Sequence, residues 1–210
     1  EMNLSMLQPL YNGFVTTFQF FIFTLILSIP LGLIIALLAQ RFSKTLGLIV
    51  NGYVYLFRGT PLLLQMMFMF FGLPFIGIVL GRFEAALITL VLNYAAYFVE
   101  IFRGGLNAIP KGQYEALQVL SINRFNGLRN VILPQLWKIV MPSVGNEVIS
   151  LIKDTSLIHI LGLEELLKVG RTMSNQQASL MPFVYVAIIY LLFTGVTTLV
   201  LRFIERRIEA

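Results

Sequence analysis

The chain has 210 residues, of which 58% are hydrophobic and 12% charged, with a formal charge of +5. A mean hydropathy of +0.85 lies far outside the range of a soluble domain, which makes this an integral membrane protein. It has no cysteine, which excludes disulfides, thiol catalysis and cysteine-ligated metals, and no basic run is dense enough to bind nucleic acid.

A bilayer core about 30 Å thick takes apolar helices of roughly 20 residues, and the chain offers about five in one transmembrane domain. The first apolar stretch lacks a basic leader and is long enough to span, so it reads as a retained helix over 11–40. Pro30 and Gly32 mark a kink or a close-packing point in it, and Arg41 and Lys44 close it. A second span is expected over 48–73, with Arg58 near the membrane interface as an anchor or ion-pair partner and Gln65 two turns further on the same face. A third follows over 83–104, a fourth over 134–152 interrupted by Glu147, and a fifth over 180–204 closed by Arg202, Arg206 and Arg207.

Basic side chains are retained on the cytoplasmic face. With the N-terminus outside, the inner segments carry Arg41, Lys44, Arg103, Lys111, Arg124, Arg129, Arg202, Arg206 and Arg207. The outer segments then carry only Arg82, Lys153, Lys168 and Arg171. The C-terminus is therefore expected in the cytoplasm, with segment 105–131 inside and segment 153–179 outside.

The inner segment is a polar island. Pro110 and Gly112 punctuate a turn, Tyr114 to Leu120 has apolar residues at helical spacing, and Asn123 suits the cap of a second short helix holding Phe125 and Leu128. Two short helices at an angle form a knob that fits a groove on a soluble partner, or else an amphipathic hairpin on the lipid surface.

Polar groups at membrane depth are costly and face a cavity or a partner helix. Glu147 is the sharpest case, with Ser143, Ser150 and Asp154 near its face. Asn93, Tyr97 and Glu100 share a face of the third span, so Asn93, Tyr97, Gln65, Glu147 and Ser150 are the candidate pocket residues. Glu100 is expected to pair with Arg103 or Arg58. His159, the only histidine, is expected to make a structural hydrogen bond.

Glu115, Ala116 and Leu117, then Ser121, then Ile132 to Pro134 resemble the EAA loop of ABC importer permeases, whose pattern is Glu-Ala-Ala, a Gly four residues on, and Ile-x-Leu-Pro. RGTPLLLQ at 58–65, YFVEIFRGGLNAIPKGQ at 97–113 and GNEVISLIKDTSL at 145–157 are similar to the polar amino-acid branch of these permeases. Leu117 and Ser121 depart from the pattern by placing larger side chains where the family is expected to pack closely.

The resemblance implies an all-α membrane fold of the type I ABC importer, MetI-like, and a permease subunit for polar amino acids in a bacterial plasma membrane. It also implies that Gly112, Tyr114, Glu115, Ala116, Leu117, Leu120, Ser121 and Phe125 couple to a separate ABC ATPase subunit, which binds ATP and Mg. A second permease, as a homodimer or a homologous heterodimer, and an extracellular or periplasmic amino-acid-binding protein complete the implied assembly. No phosphate loop, catalytic cluster or cofactor site is evident in the sequence itself. The reading from another class is an ATP-independent carrier or channel using Glu147 and Glu100 as a relay.

Overall fold

A computed structural model describes the backbone of residues 4–41 and 44–209, with side chains from 7 to 40 and from 45 to 208. The side chains of Arg41 and Lys44, used above for orientation, lie outside the described residues. No strand occurs among the described residues. The elements are α1 (Leu4–Arg41), α2 (Lys44–Gly59), α3 (Leu62–Met67), α4 (Arg82–Ala108), α5 (Lys111–Val119), α6 (Arg124–Gly127), α7 (Leu133–Asp154), α8 (Leu166–Gln177) and α9 (Met181–Glu209).

Among the described residues, three helical stretches are long and apolar enough to cross a membrane alone: Leu7–Gln40, Arg82–Ala108 and Met181–Ile208. A fourth results if the bent pair Thr45–Gly59 and Leu62–Ile76 counts as one. The fourth expected span coincides with α7, which is 22 residues long but carries Lys138, Glu147, Lys153 and Asp154. Its length suits a bilayer and its hydropathy does not, because one face is reserved for polar groups.

α1 runs unbroken through Pro30. Gly32 is the close-packing point: a methyl group there would lie 2.6 Å from Phe98 Cβ and 3.1 Å from the Ala95 carbonyl oxygen of α4. This contact lets α1 lie along α4, as small residues do in membrane helix pairs. The core between α1, α4 and α7 holds Phe20, Tyr94, Phe98, Phe102, Leu136 and Leu151, all essentially buried. Trp137 joins it edge-on to Phe102 at 5.6 Å. α9 instead leaves Leu191, Leu192, Leu199 and Phe203 exposed, a surface suited to hydrocarbon. The uncharged run that starts at Thr172 does not belong to one helix, since α8 ends at Gln177 and Ala178 caps it with φ 48°.

The polar island folds as two short helices. Asn123 caps α6 by accepting the Asn126 amide at 2.8 Å. α6 then passes through a wide π turn, Leu128–Ile132, straight into α7. Gly127 is buried, and Leu117 fills the space beside it so closely that a methyl there would lie 2.9 Å from Leu117 Cδ1.

The structure also corrects the reason given for the family's glycine at Ser121. Ser121 is exposed with φ 52°, so the position demands a left-handed backbone rather than space. The Ile122 amide donates to the Leu117 carbonyl at 3.0 Å and the Ser121 amide to the Gln118 carbonyl at 3.0 Å, which is a Schellman end to α5. A left-handed non-glycine residue costs about 1 kcal/mol. Ser121→Gly is therefore expected to raise the melting temperature by about 2–4 °C in a thermal unfolding scan of the detergent-solubilised protein, and a lower value would contradict it.

Candidate functional site

Three chain segments meet at the middle of the bundle. α2 ends at Gly59, and the chain bends by 105° before α3 begins at Leu62. This is a broken helix, which frees backbone carbonyls that need partners inside a membrane. Gln65 supplies them: its Nε2 lies 2.9 Å from the Phe57 carbonyl, 3.1 Å from the Thr60 carbonyl and 2.8 Å from the Thr60 hydroxyl. Asn93 of α4, 4% exposed, donates through Nδ2 to Phe57 O and to Gln65 Oε1, both at 3.0 Å. The amide groups of Gln65 and Asn93 are thus committed to bracing the elbow. Gln65 and Arg58 do not share a helix face, because the bend falls between them.

Along α4 the residues at every third position form a polar ladder. Buried Tyr94 donates through its hydroxyl to Asp154 Oδ2 at 2.7 Å. Its ring lies 6.3 Å from that of half-buried Tyr97, and the Arg58 guanidinium sits over Tyr97 at 5.2 Å. Arg58 Nη1 is 3.5 Å from Glu100 Oε2, and Arg103 Nη1 is 3.0 Å from Glu100 Oε1. Arg103 also donates to Asn51 Oδ1 at 2.8 Å. Glu100 therefore pairs with both expected partners.

Half-buried Glu147 faces this ladder from α7, in the fields of Arg58 and Asp154. Ser150 is half-buried one turn further along α7, while Ser143 is exposed. The Glu100–Arg103 end of the ladder opens into a cavity of about 410 Å³ lined by Asn51, Tyr55, Arg58, Glu100 and Arg103. A larger groove of about 1110 Å³ between α1 and α9 has no charged residue in its lining and offers a polar solute nothing.

At the knob, Tyr114 is half-buried and donates to the Leu106 carbonyl at 3.2 Å. Gly112, Glu115, Ala116, Leu120, Ser121 and Phe125 are exposed, and Val119, Leu120 and Phe125 form an apolar patch 68–84% exposed. Tyr114 and Leu117 root the knob in the core while its outer surface remains open.

Sequence reasoning missed Glu165. It is fully buried, caps α8 by accepting the Leu167 and Lys168 amides at 2.6 and 2.7 Å, and lies 3.3 Å from the Tyr190 hydroxyl. Burial pushes its carboxyl above the usual range, against the opposing pull of those amides, His159 and Tyr190. His159 makes the expected structural contact, Nδ1 to the Ser156 carbonyl oxygen at 2.5 Å, and stands 3.9 Å from Glu165. Glutamate is not a favoured N-cap residue, and its partner Tyr190 is 25 residues away, so no local signal marked it.

Residues 28–210 match the family described as binding-protein-dependent transport system inner membrane component. A glutamine transport system permease protein of Escherichia coli K12 is 38% identical over 192 residues, covering 88% of this chain and 87% of that one. An arginine transport system permease protein of Bacillus subtilis is 32% identical over 204 residues, covering 95% and 92%. Among solved structures, an amino acid ABC transporter aligns over 99% of both chains with a TM-score of 0.86 and 29% identity. A methionine ABC transporter aligns over 99% of both with a TM-score of 0.76 at 20% identity, a likeness of fold.

Proposed function

The chain belongs to the binding-protein-dependent transport system inner membrane component family, and from that premise we propose how its geometry moves an amino acid. It is a multi-pass inner-membrane permease subunit of an ATP-driven ABC importer for polar amino acids. Solved neighbours that are ABC transporters favour this over an ATP-independent carrier or channel.

The observation that carries the mechanism is the pairing of a rooted, outwardly open knob at 105–131 with a charged ladder at mid-bundle. In this reading a separate ATPase subunit, holding ATP and Mg, seats on Gly112, Tyr114, Glu115, Ala116, Leu117, Leu120, Ser121 and Phe125. Exposed Leu120 and Phe125 supply apolar anchors of the kind that dominate such interfaces. A second permease, identical or homologous, completes the pathway, and an extracellular or periplasmic binding protein delivers solute to segment 153–179. The N-terminus lies outside and the C-terminus in the cytoplasm.

Substrate meets Tyr97, Glu147 and Ser150, while Gln65 and Asn93 shape the pocket through the elbow they brace. Glu147 takes the ammonium that every amino acid carries, and ATP-driven closure of the motor rocks the helices between outward and inward access. Vesicles reconstituted with permease, ATPase subunit and binding protein should accumulate labelled L-glutamine or L-arginine only with ATP on the ATPase side. Equal uptake without ATP contradicts this reading.

A further inference from the structure

Arg58 sits deeper than its sequence position implied. The adjacent Phe57 carbonyl is held by Asn93, which lies eleven residues beyond the start of α4, about 16 Å along a helix of 27 residues. Arg58 is therefore level with the middle of the bundle, on the last turn of a helix that breaks there. An ionisable side chain at that depth is retained for a use, because burying it without one costs several kcal/mol.

Its protein partners do not use up its charge. Glu100, its ion-pair partner at 3.5 Å, lies closer to Arg103 at 3.0 Å, and Arg103 is further fixed by Asn51 at 2.8 Å. One carboxylate thus serves two guanidinium groups, which leaves the 410 Å³ cavity with a surplus positive charge. The Arg58 side chain lines it, 42% exposed, stacked on Tyr97 and sharing Glu100 with Arg103. Towards the other end of the ladder Glu147 and Asp154 are both acidic, and Arg58 is the cation whose field reaches Glu147.

A positive group lining a cavity, within electrostatic reach of a carboxylate on the neighbouring α7, matches the two charges of a zwitterion. We propose that Arg58 binds the α-carboxylate of the transported amino acid, with the ammonium directed to Glu147. The planar guanidinium suits this task because it grips a carboxylate through two parallel N–H donors, a geometry lysine cannot supply. The elbow separates the two side chains: a straight helix through Thr60 and Pro61 would carry Gln65 alongside Arg58, whereas the 105° bend turns α3 away from the axis of α2. This inference rests on the amino-acid reading of the site above.

The test uses the purified permease–ATPase complex and two probes, L-glutamine and L-glutaminamide, which share a side chain and an ammonium and differ in the α-carboxylate. Calorimetric titration of the wild-type complex should show glutamine bound at least tenfold more tightly than its amide. Arg58→Gln should abolish that preference, with glutamine affinity falling at least tenfold and the amide's unchanged. Arg58→Lys should retain only part of the preference. A merely structural arginine would weaken both probes together, so parallel loss, or a preserved preference in an Arg58→Gln complex that still co-purifies, overturns the proposal. Failure of the underlying reading looks different: wild-type vesicles would then accumulate neither glutamine nor arginine, which overturns both.

Discussion

Replacing Glu147 with Gln is expected to cut ATP-driven uptake at least tenfold while the permease still assembles with its ATPase subunit. The substitution keeps the shape and the polarity of a half-buried side chain on α7, exchanging one acceptor oxygen for an NH2 donor. It removes the negative charge, which is attracted by Arg58 and repelled by Asp154. A charge-assisted hydrogen bond contributes about 1.5–3 kcal/mol, equivalent to roughly 10–100-fold in binding. Because the loss falls on substrate and not on packing, initial-rate uptake of labelled glutamine should fall while the melting temperature holds. Ser143→Ala, on an exposed position of the same helix, serves as the control and should transport normally. Normal uptake by the Glu147 variant would remove it from the pathway.

The second large effect concerns the knob. Tyr114→Ala deletes a ring packed against the core together with its hydrogen bond to Leu106, a change that costs about 3–5 kcal/mol where the surroundings cannot collapse. The knob then loses its root. Substrate-stimulated ATPase activity of the reconstituted complex should drop to its unstimulated level. Tyr114→Phe keeps the ring and should retain most of the stimulation. Glu115→Lys reverses a charge on the exposed face and should weaken co-purification of the ATPase subunit without unfolding the chain. Intact stimulation in Tyr114→Ala, or undiminished co-purification with Glu115→Lys, would separate this surface from the motor.

The readings that survive contact with the structure are those set by one helix at a time. A bilayer demands long apolar runs, so α1, α4 and α9 announce themselves by hydropathy alone. Asn123 is a cap whose partner is three residues away, and Gly32 packs where a methyl would not fit. The knob, too, was legible from Pro110, Gly112 and the spacing after Tyr114. What could not be read depends on pieces distant in sequence. Arg58 looked like the boundary of a span because it precedes an apolar run. Its depth is fixed by Asn93, whose amide reaches the neighbouring Phe57 carbonyl across 36 positions. Glu165 went unmarked because what buries it is remote in sequence: α9 returns to cover it with Tyr190, and α1 brings Thr17 to the Leu166 amide. At Ser121 the motif was visible and its cause was not, because side-chain size and backbone handedness favour glycine equally.

The continuity of α6, the π turn and α7 has a mechanical consequence. From Gly127 to Glu147 the backbone is one shaft about 30 Å long with no loop in it, and Leu117 is wedged against its lower end. Movement of the knob at Phe125 is coupled to residue 147 through continuous helix, and the π turn and Pro142 are the two places where that shaft can bend. In the proposed mechanism, the surface that receives the motor and the carboxylate that meets the solute thus belong to one continuous helical element.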